Sequence, residues 1–267
     1  MSKPVSIRVV FLSLVLHQFT NALTADWSYN EQDKWEGACQ RGKSQSPIAL
    51  KERRSVQRPT LPLEFRNLGV NCDARVTNNG HTARVTMPNS SLTLEGGGLA
   101  STFRFSDLHF HWQSEHTLDN RRYPLEAHFV FFDAVYPSLE DAIQHPNSVA
   151  VVGVLFDVSK DHYIRALELI AKAAAQVQKA GMSTEIKNLS LAKLIPQQHQ
   201  KFLYYDGSLT TPECNEVVSW FVFPKILQIR SSQLKKLTSI NDEDGQRLSY
   251  TYRKLQRLNG RTVFRSF

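Results

Sequence analysis

The chain has 267 residues, 41% of them hydrophobic and 21% charged, with 12 Gly, 11 Pro, 15 Phe and 8 Tyr, and it carries a formal charge of +7. This is an ordinary globular composition that excludes wholesale disorder and supplies enough apolar surface for a sizeable core. Lys and Arg are scattered rather than clustered, which reads as a solvated surface with at most loose attraction to anionic surfaces and argues against a nucleic-acid footprint.

At the start of the chain, Lys3 and Arg8 precede an apolar run over 9–16, and small residues follow at 22–25. This is the three-part layout of a secretory signal. Residues 1–25 are therefore expected to be removed, with cleavage near 22–25, leaving a mature domain over 26–267. Loss of Lys3 and Arg8 lowers the charge by two, to +5. No stretch approaches the roughly 20 apolar residues of a membrane span, and the basic C-terminus has no hydrophobic tail for a lipid anchor. The expectation is a secreted, extracellular protein without a membrane anchor. In such a protein the odd set Cys39, Cys72 and Cys214 suggests one disulfide and one leftover thiol, with all three pairings open. Asn89 and Asn188 each open an N-x-Ser triplet, a candidate glycosylation site in an exported chain.

From Asp26 onward there is no linker, repeat or low-complexity tract. Short β-branched and aromatic segments alternate with Gly, Pro, Asn and Asp, which predicts strands over 63–68, 74–77, 83–87, 92–94, 103–112, 125–132, 149–158 and 217–223. One helix is predicted with Asp161 as N-cap, Ile164, Leu167, Ala171, Ala174 and Val177 at helical spacing, and Gly181 as its close. A shorter helix is predicted over 139–144. Helices among many strands without regular alternation point to an antiparallel or mixed sheet with helices packed around it.

The chemistry concentrates in Asp107-Leu-His-Phe-His-Trp112. Side chains alternate faces along a strand, so His109 and His111 project to one side and Phe110 and Trp112 to the other. His128 lies on a following strand that can return beside the first after a connection containing Asp119-Asn120 and Pro124. Three neutral imidazoles on adjacent strands suit a catalytic zinc, which takes three protein ligands and keeps a fourth position for water. Glu126 precedes His128 by two residues, and Asp107 stands in the same relation to His109. Each carboxylate can accept the ring's second N–H and fix its tautomer.

These motifs, with Trp27 and Tyr29, Gln45-Ser-Pro-Ile48, Asn78-Asn-Gly-His81, Ser114-Glu-His-Thr117, Gly207-Ser-Leu-Thr-Thr-Pro212 and Asn259-Gly-Arg261, give the chain a close resemblance to the alpha-class carbonic anhydrases of the secreted animal type. The resemblance spans nearly the whole mature chain. It implies a mainly β fold with peripheral helices (α+β), a single domain around a large twisted, mostly antiparallel central sheet of about ten strands. It also implies a monomeric zinc lyase that interconverts carbon dioxide and bicarbonate through a zinc-bound hydroxide, serves pH regulation, and binds sulfonamide-type inhibitors and anions at the metal. On this likeness His109, His111 and His128 hold Zn2+. Thr210 accepts from the hydroxide and donates to ionised Glu115. Val130, Val151, Leu209, Thr211, Val218 and Trp220 line the carbon dioxide pocket. His81 is the proton shuttle, with Tyr29 and Asn78 ordering waters, and His116 joins the supporting hydrogen-bond network, while His145, His162 and His199 have no counterpart at the site. Cys39 and Cys214 match the disulfide of exported members, which leaves Cys72 as a buried, inert thiol.

Five positions depart from the usual family pattern: Asp107 for glutamine, Gln113 for glycine, Arg84 for a smaller uncharged residue in the cleft, and Glu213 and Lys254 for prolines. Two rival classes share the β-rich, exported character, a catalytically silent relative used for binding or adhesion and a lectin-like secreted domain. Three intact histidines argue against the first, and the His/Glu/Thr constellation argues against the second.

Overall fold

The structure is a computed structural model and describes residues 27–267, so the predicted signal segment lies outside the described residues. In chain order the strands are β1 (Ala49–Leu50), β2 (Val56–Gln57), β3 (Leu63–Arg66), β4 (Cys72–Asn78), β5 (Ala83–Thr86), β6 (Thr93–Gly96), β7 (Phe103–Trp112) and β8 (Thr117–Leu118). They continue with β9 (Arg121–Arg122), β10 (Leu125–Asp133), β11 (Val149–Val158), β12 (Ser183–Leu189), β13 (Leu203–Gly207), β14 (Val218–Ile229) and β15 (Phe264–Arg265). Four short α-helices accompany them: α1 (Ala38–Arg41), α2 (Leu139–Ala142), α3 (Arg165–Gln176) and α4 (Ser231–Leu237).

Twelve strands form one sheet in the order β12-β4-β5-β7-β10-β11-β14-β13-β15-β2, with β3 and β6 attached beside β7. It is antiparallel except at β11–β14 and β15–β2, as the sequence implies for a mainly β fold with peripheral helices. β1, β8 and β9 make a separate three-stranded ribbon.

The central strands divide the interior by the two-residue period of a strand. Leu125, Ala127, Phe129 and Phe131 of β10, with Ala150, Val152, Val154 and Phe156 of β11, point into one core. That core is covered by Leu167, Ile170, Ala171 and Ala174 of α3. Val130 and Phe132, with Val149, Val151 and Leu155, point into the other core. Glu126 and His128 share this second parity, so β10 shows core hydrophobics to the helix and polar groups to the opposite side.

The helix prediction needs one correction. α3 begins at Arg165 behind an N-cap Ile164 that makes no side-chain cap bond, so Asp161 does not cap it. The buried Gln233 side chain from α4 does this work instead: Nε2 donates to Ile164 O at 2.7 Å and Oε1 accepts from Ile164 N at 3.4 Å. Gly181, in the left-handed region at φ +80°, lies beyond the helix in the turn before β12. Strand β14 runs past the predicted end at 223, and the register with β11 shifts between Val154 and Phe156. That irregularity accommodates Pro224, which has no N–H for a regular ladder.

Candidate metal centre

β7 and β10 pair antiparallel with His109 opposite His128 and His111 opposite Glu126. Residues facing one another across an antiparallel pair project to the same face, so the alternation along each strand brings three rings together. Their centroids lie 5.2 Å (His109–His111), 5.3 Å (His109–His128) and 4.4 Å (His111–His128) apart. One nitrogen from each ring lies within 4.8 Å of the other two.

The second nitrogen of every ring is engaged by the protein. His109 Nδ1 is 2.9 Å from Asp107 Oδ1, His128 Nε2 is 2.8 Å from Glu126 Oε1, and His111 Nδ1 meets the Thr251 carbonyl. A carbonyl or an ionised carboxylate can only accept, so these ring nitrogens donate. Both carboxyls are ionised. Hydrogen bonding and charge from His109 and Arg84 outweigh burial and hold Asp107 at about 2. At Glu126 burial again works the other way, but the interactions with His116 and His128 hold the carboxyl far below the usual carboxylate range. Burial, with the neighbouring rings, pushes His111 well below its ordinary value. Burial also dominates at His128 and lowers it to about 4. Nε2, Nε2 and Nδ1 of His109, His111 and His128 are thus left over, and His111 Nε2 is buried with no hydrogen-bond partner. A buried, unpartnered ring nitrogen beside two more from neighbouring imidazoles fits a metal cation that takes imidazole ligands.

Behind His128 the network continues. Glu126 Oε1 also meets His116 Nδ1 at 2.7 Å, Glu126 Oε2 accepts from His116 N at 2.8 Å, and His116 Nε2 reaches Tyr205 Oη at 2.7 Å. His116, Glu126 and His128 therefore form a hydrogen-bond chain rather than a second metal pocket. Gly153 stands opposite His128 on β11 and leaves room for the Glu126 carboxylate.

Glu115 is fully buried beside the triad, with Oε1 3.6 Å from His111 Nδ1 and Oε2 4.0 Å from His128 Nδ1. Oε1 accepts from Arg253 N at 2.7 Å, while Oε2 makes no hydrogen bond of standard geometry. Burial pushes this carboxyl up to about 8, and the neighbouring Thr210 hydroxyl and the Arg253 N–H act against the rise. Thr210 is itself buried.

Val130 pairs with Val151, and Val151 with Trp220, so three predicted wall residues lie in one row across β10, β11 and β14. Val218 joins them in the same apolar cluster with Leu209 packed against it, and Thr211 lies half-buried on the same loop. His81 stacks on Trp27, with centroids 3.7 Å apart and planes 13° from parallel. Tyr29 is buried, and desolvation together with the Glu115 charge pushes its hydroxyl well above 10, so it remains an O–H. Asn78 goes elsewhere: it is fully buried, its amide donates to Gln178 O and Asn241 O, and its oxygen accepts from Gly80 N. These bonds hold the turn that carries His81 and direct the amide into the protein.

His145 stacks on Tyr136, His162 faces Ser159, and His199 sits against Phe65 and Phe223. None of the three is at the triad. Cys39 and Cys214 form a disulfide, and Cys72 is half-buried at the start of β4. Sequence reasoning missed Thr251, Arg253, Tyr205 and Gly153. Two act through backbone groups that every residue possesses, one through a hydroxyl at the far end of a chain of contacts, and one by having no side chain.

A sequence profile of eukaryotic-type carbonic anhydrases matches residues 27–267. The chain belongs to that family. Carbonic anhydrase 6 of Mus musculus is 32% identical over 262 residues, covering 91% of this chain and 80% of the mouse protein. Carbonic anhydrase 6 of Bos taurus is 33% identical over 245 residues, covering 85% and 74%. Carbonic anhydrase 3 of Sus scrofa is 29% identical over 262 residues, covering 92% and 100%. The protein is thus an enzyme, a carbonic anhydrase lyase. Among the positions unusual for a carbonic anhydrase, Gln113 and Glu213 are exposed, and Lys254 pairs with Asp33 at 3.2 Å on the surface. Arg84 and Asp107 form an ion pair with each other at 3.0 Å.

Proposed function

We propose that this carbonic anhydrase catalyses the reversible hydration of carbon dioxide to bicarbonate and a proton, using zinc held by His109, His111 and His128. One observation carries the reading: each ring gives one nitrogen to a protein acceptor, and the other three nitrogens converge, one of them orphaned. When bound, zinc supplies Lewis-acid activation of water, bringing its pKa to about 7, a magnitude belonging to carbonic anhydrases as a class rather than to this structure.

The protein's own groups do the rest. Asp107, Glu126 and the Thr251 carbonyl lock the ring tautomers, so that all three histidines present lone pairs. The Thr210 hydroxyl oxygen accepts a hydrogen bond from an O–H at the site, and its own hydrogen goes to the Glu115 carboxyl, which requires an ionised carboxylate. A dication held by the three histidines would favour that ionised form by stabilising negative charge nearby. Val130, Val151, Leu209, Val218 and Trp220, with Thr211 at their margin, exclude water from the place where an uncharged, nonpolar substrate sits. His81 takes the released proton on its imidazole and passes it to solvent, a task for which an ordinary histidine titrates in the right range.

Further readings go with this one. Residues 1–25 act as a secretory signal and 26–267 as a single catalytic domain. The disulfide suits an oxidising compartment. Exposed Asn89 and Asn188 are available for glycosylation, and sulfonamides and small anions bind at the metal. Among the described residues no helix is long and apolar enough to cross a membrane.

The decisive experiment measures zinc content and stopped-flow hydration for the purified protein and for His111→Ala. About one equivalent of zinc with sulfonamide-sensitive hydration is expected, and both fall to near zero in the variant. Hydration retained by a zinc-free variant overturns the proposal.

A further inference from the structure

The two unusual charges in the cleft are partners, and their environments differ. Asp107 is 4% exposed and both its oxygens are engaged: Oδ1 meets His109 Nδ1 at 2.9 Å, and Oδ2 accepts from Arg84 Nη2 and from Ser106 Oγ, each at 3.0 Å. The Arg84 side chain is 40% exposed, and this is its one hydrogen bond among the described residues. A guanidinium has five N–H donors in a planar fork, so most of that fork is unused. The pair is polarised, with its negative end turned into the protein and its positive end turned out.

Strand register fixes where the positive end lies. Arg84 on β5 is the partner of His109 on β7, and His109 is the partner of His128 on β10, so the three side chains form one row on one face. Within the triad only His109 is appreciably exposed, at 22% against 1% each for His111 and His128. The metal pocket therefore opens on the Arg84 side. The residues flanking Arg84 in the sheet are His109 and, on β4, Thr77, neither of which brings a competing negative charge.

We propose that Arg84, braced on Asp107, is a binding subsite for a small planar oxyanion at the mouth of the metal pocket, and that the anion it serves is the reaction's own bicarbonate. This rests on the carbonic anhydrase reading of the triad. Carbon dioxide is neutral and gains nothing from a guanidinium, whereas bicarbonate gains a charge-assisted, bidentate contact. The subsite therefore acts on the anionic side of the reaction, holding bicarbonate when dehydration is run and raising sensitivity to inorganic anions when hydration is run.

The test uses the zinc-loaded protein and Arg84→Gln, Arg84→Lys and Asp107→Asn. The measurements are the bicarbonate KM for dehydration, inhibition of hydration by sodium nitrate, and a nitrate titration of the Arg84 Nε–H signal by NMR. Arg84→Gln is expected to weaken bicarbonate and nitrate by about five- to tenfold, the scale of one charge-assisted hydrogen bond at a half-exposed site. Arg84→Lys should fall between, keeping the charge without the fork. Asp107→Asn frees the guanidinium from its counter-charge and should hold or strengthen anion affinity even as His109 support weakens. The opposite signs separate the subsite from a structural brace. Unchanged anion affinity in Arg84→Gln, or an equal loss in Asp107→Asn, overturns the proposal. If the wild-type protein bound zinc without hydrating carbon dioxide, the catalytic reading would fall, while the Arg84 signal would still report whether the anion binds.

Discussion

Gly153 shows how a residue with no side chain can serve the metal site. A Cβ built there would lie 3.1 Å from Glu126 Oε1 and 3.3 Å from Val222 Cγ2, both tighter than ordinary contact. Glu126 carries the hydrogen bonds to His128 and His116, so pressure on it reaches a ligand. Gly153→Ala is expected to destabilise the fold by ~1–3 kcal/mol through overpacking. Zinc affinity should fall by about tenfold in chelator competition, the low end for disturbing a ligand's hydrogen-bond partner. Wild-type zinc affinity in this variant would mean that Glu126 moves without cost to His128. The triad and its two carboxylates were legible in the sequence because the two-residue period of a strand sets them on one face. Thr251 and Arg253 were not, because a carbonyl and an N–H leave no trace in a residue's identity. The resemblance implies a water-ordering Asn78, and residue identity does not tell that its amide turns, as here, to the carbonyls of Gln178 and Asn241.

Among the elements, those with two buried faces were the easiest to foresee. β7 and β11 match their predicted bounds and β10 is one residue longer, since long apolar or alternating runs have few other ways to bury themselves. β12 and β2, which end the large sheet, were missed, as were β13 and β15 beside β2. β12 exposes most of its residues, and β2 and β15 are two residues each, so neither produces a periodic signal. The start of α3 was misjudged because its cap comes from another helix. Gln233 is fully buried and serves both helix starts, accepting from Arg230 N at 3.3 Å and from Ile164 N at 3.4 Å while donating to Ile164 O at 2.7 Å. Gln233→Ala removes these contacts, empties a fully buried side-chain site and leaves the part-buried Ile164 N–H without its partner, which should cost ~1–3 kcal/mol in urea denaturation. Asp161→Ala, at an exposed position that caps nothing, should stay within about 0.5 kcal/mol of wild type. Equal losses from the two substitutions would restore Asp161 as the cap and contradict the observed helix start.

At the scale of the whole molecule, one sheet separates a helix-covered apolar core from the face that carries the triad, and the dependence of stability on pH adds contributions from both sides. His199 offers a handle on that dependence away from the metal. Its ring lies 4.8 Å from Phe65 and 6.3 Å from Phe223, centroid to centroid. Partial burial lowers its pKa below the ordinary 6.5, and the Pro196 carbonyl opposes this only in part. Because the folded value lies below the unfolded one, the unfolded chain binds the extra proton first as pH falls. The contribution of His199 to stability is therefore fully present above about pH 6.5 and is lost as pH falls from there through the folded value. His199→Gln keeps a polar side chain of similar reach but cannot titrate. Protonation of the triad and of the buried carboxylates is common to both proteins, so the comparison isolates the one ring. Unfolding free energies measured by urea at intervals from pH 8 to pH 5 should show a shallower decline below about pH 6.5 in the variant than in wild type. Parallel curves across that window would mean that the ring charges as easily in the folded protein as in the unfolded chain, and that its packing against Phe65 and Phe223 leaves it effectively in water.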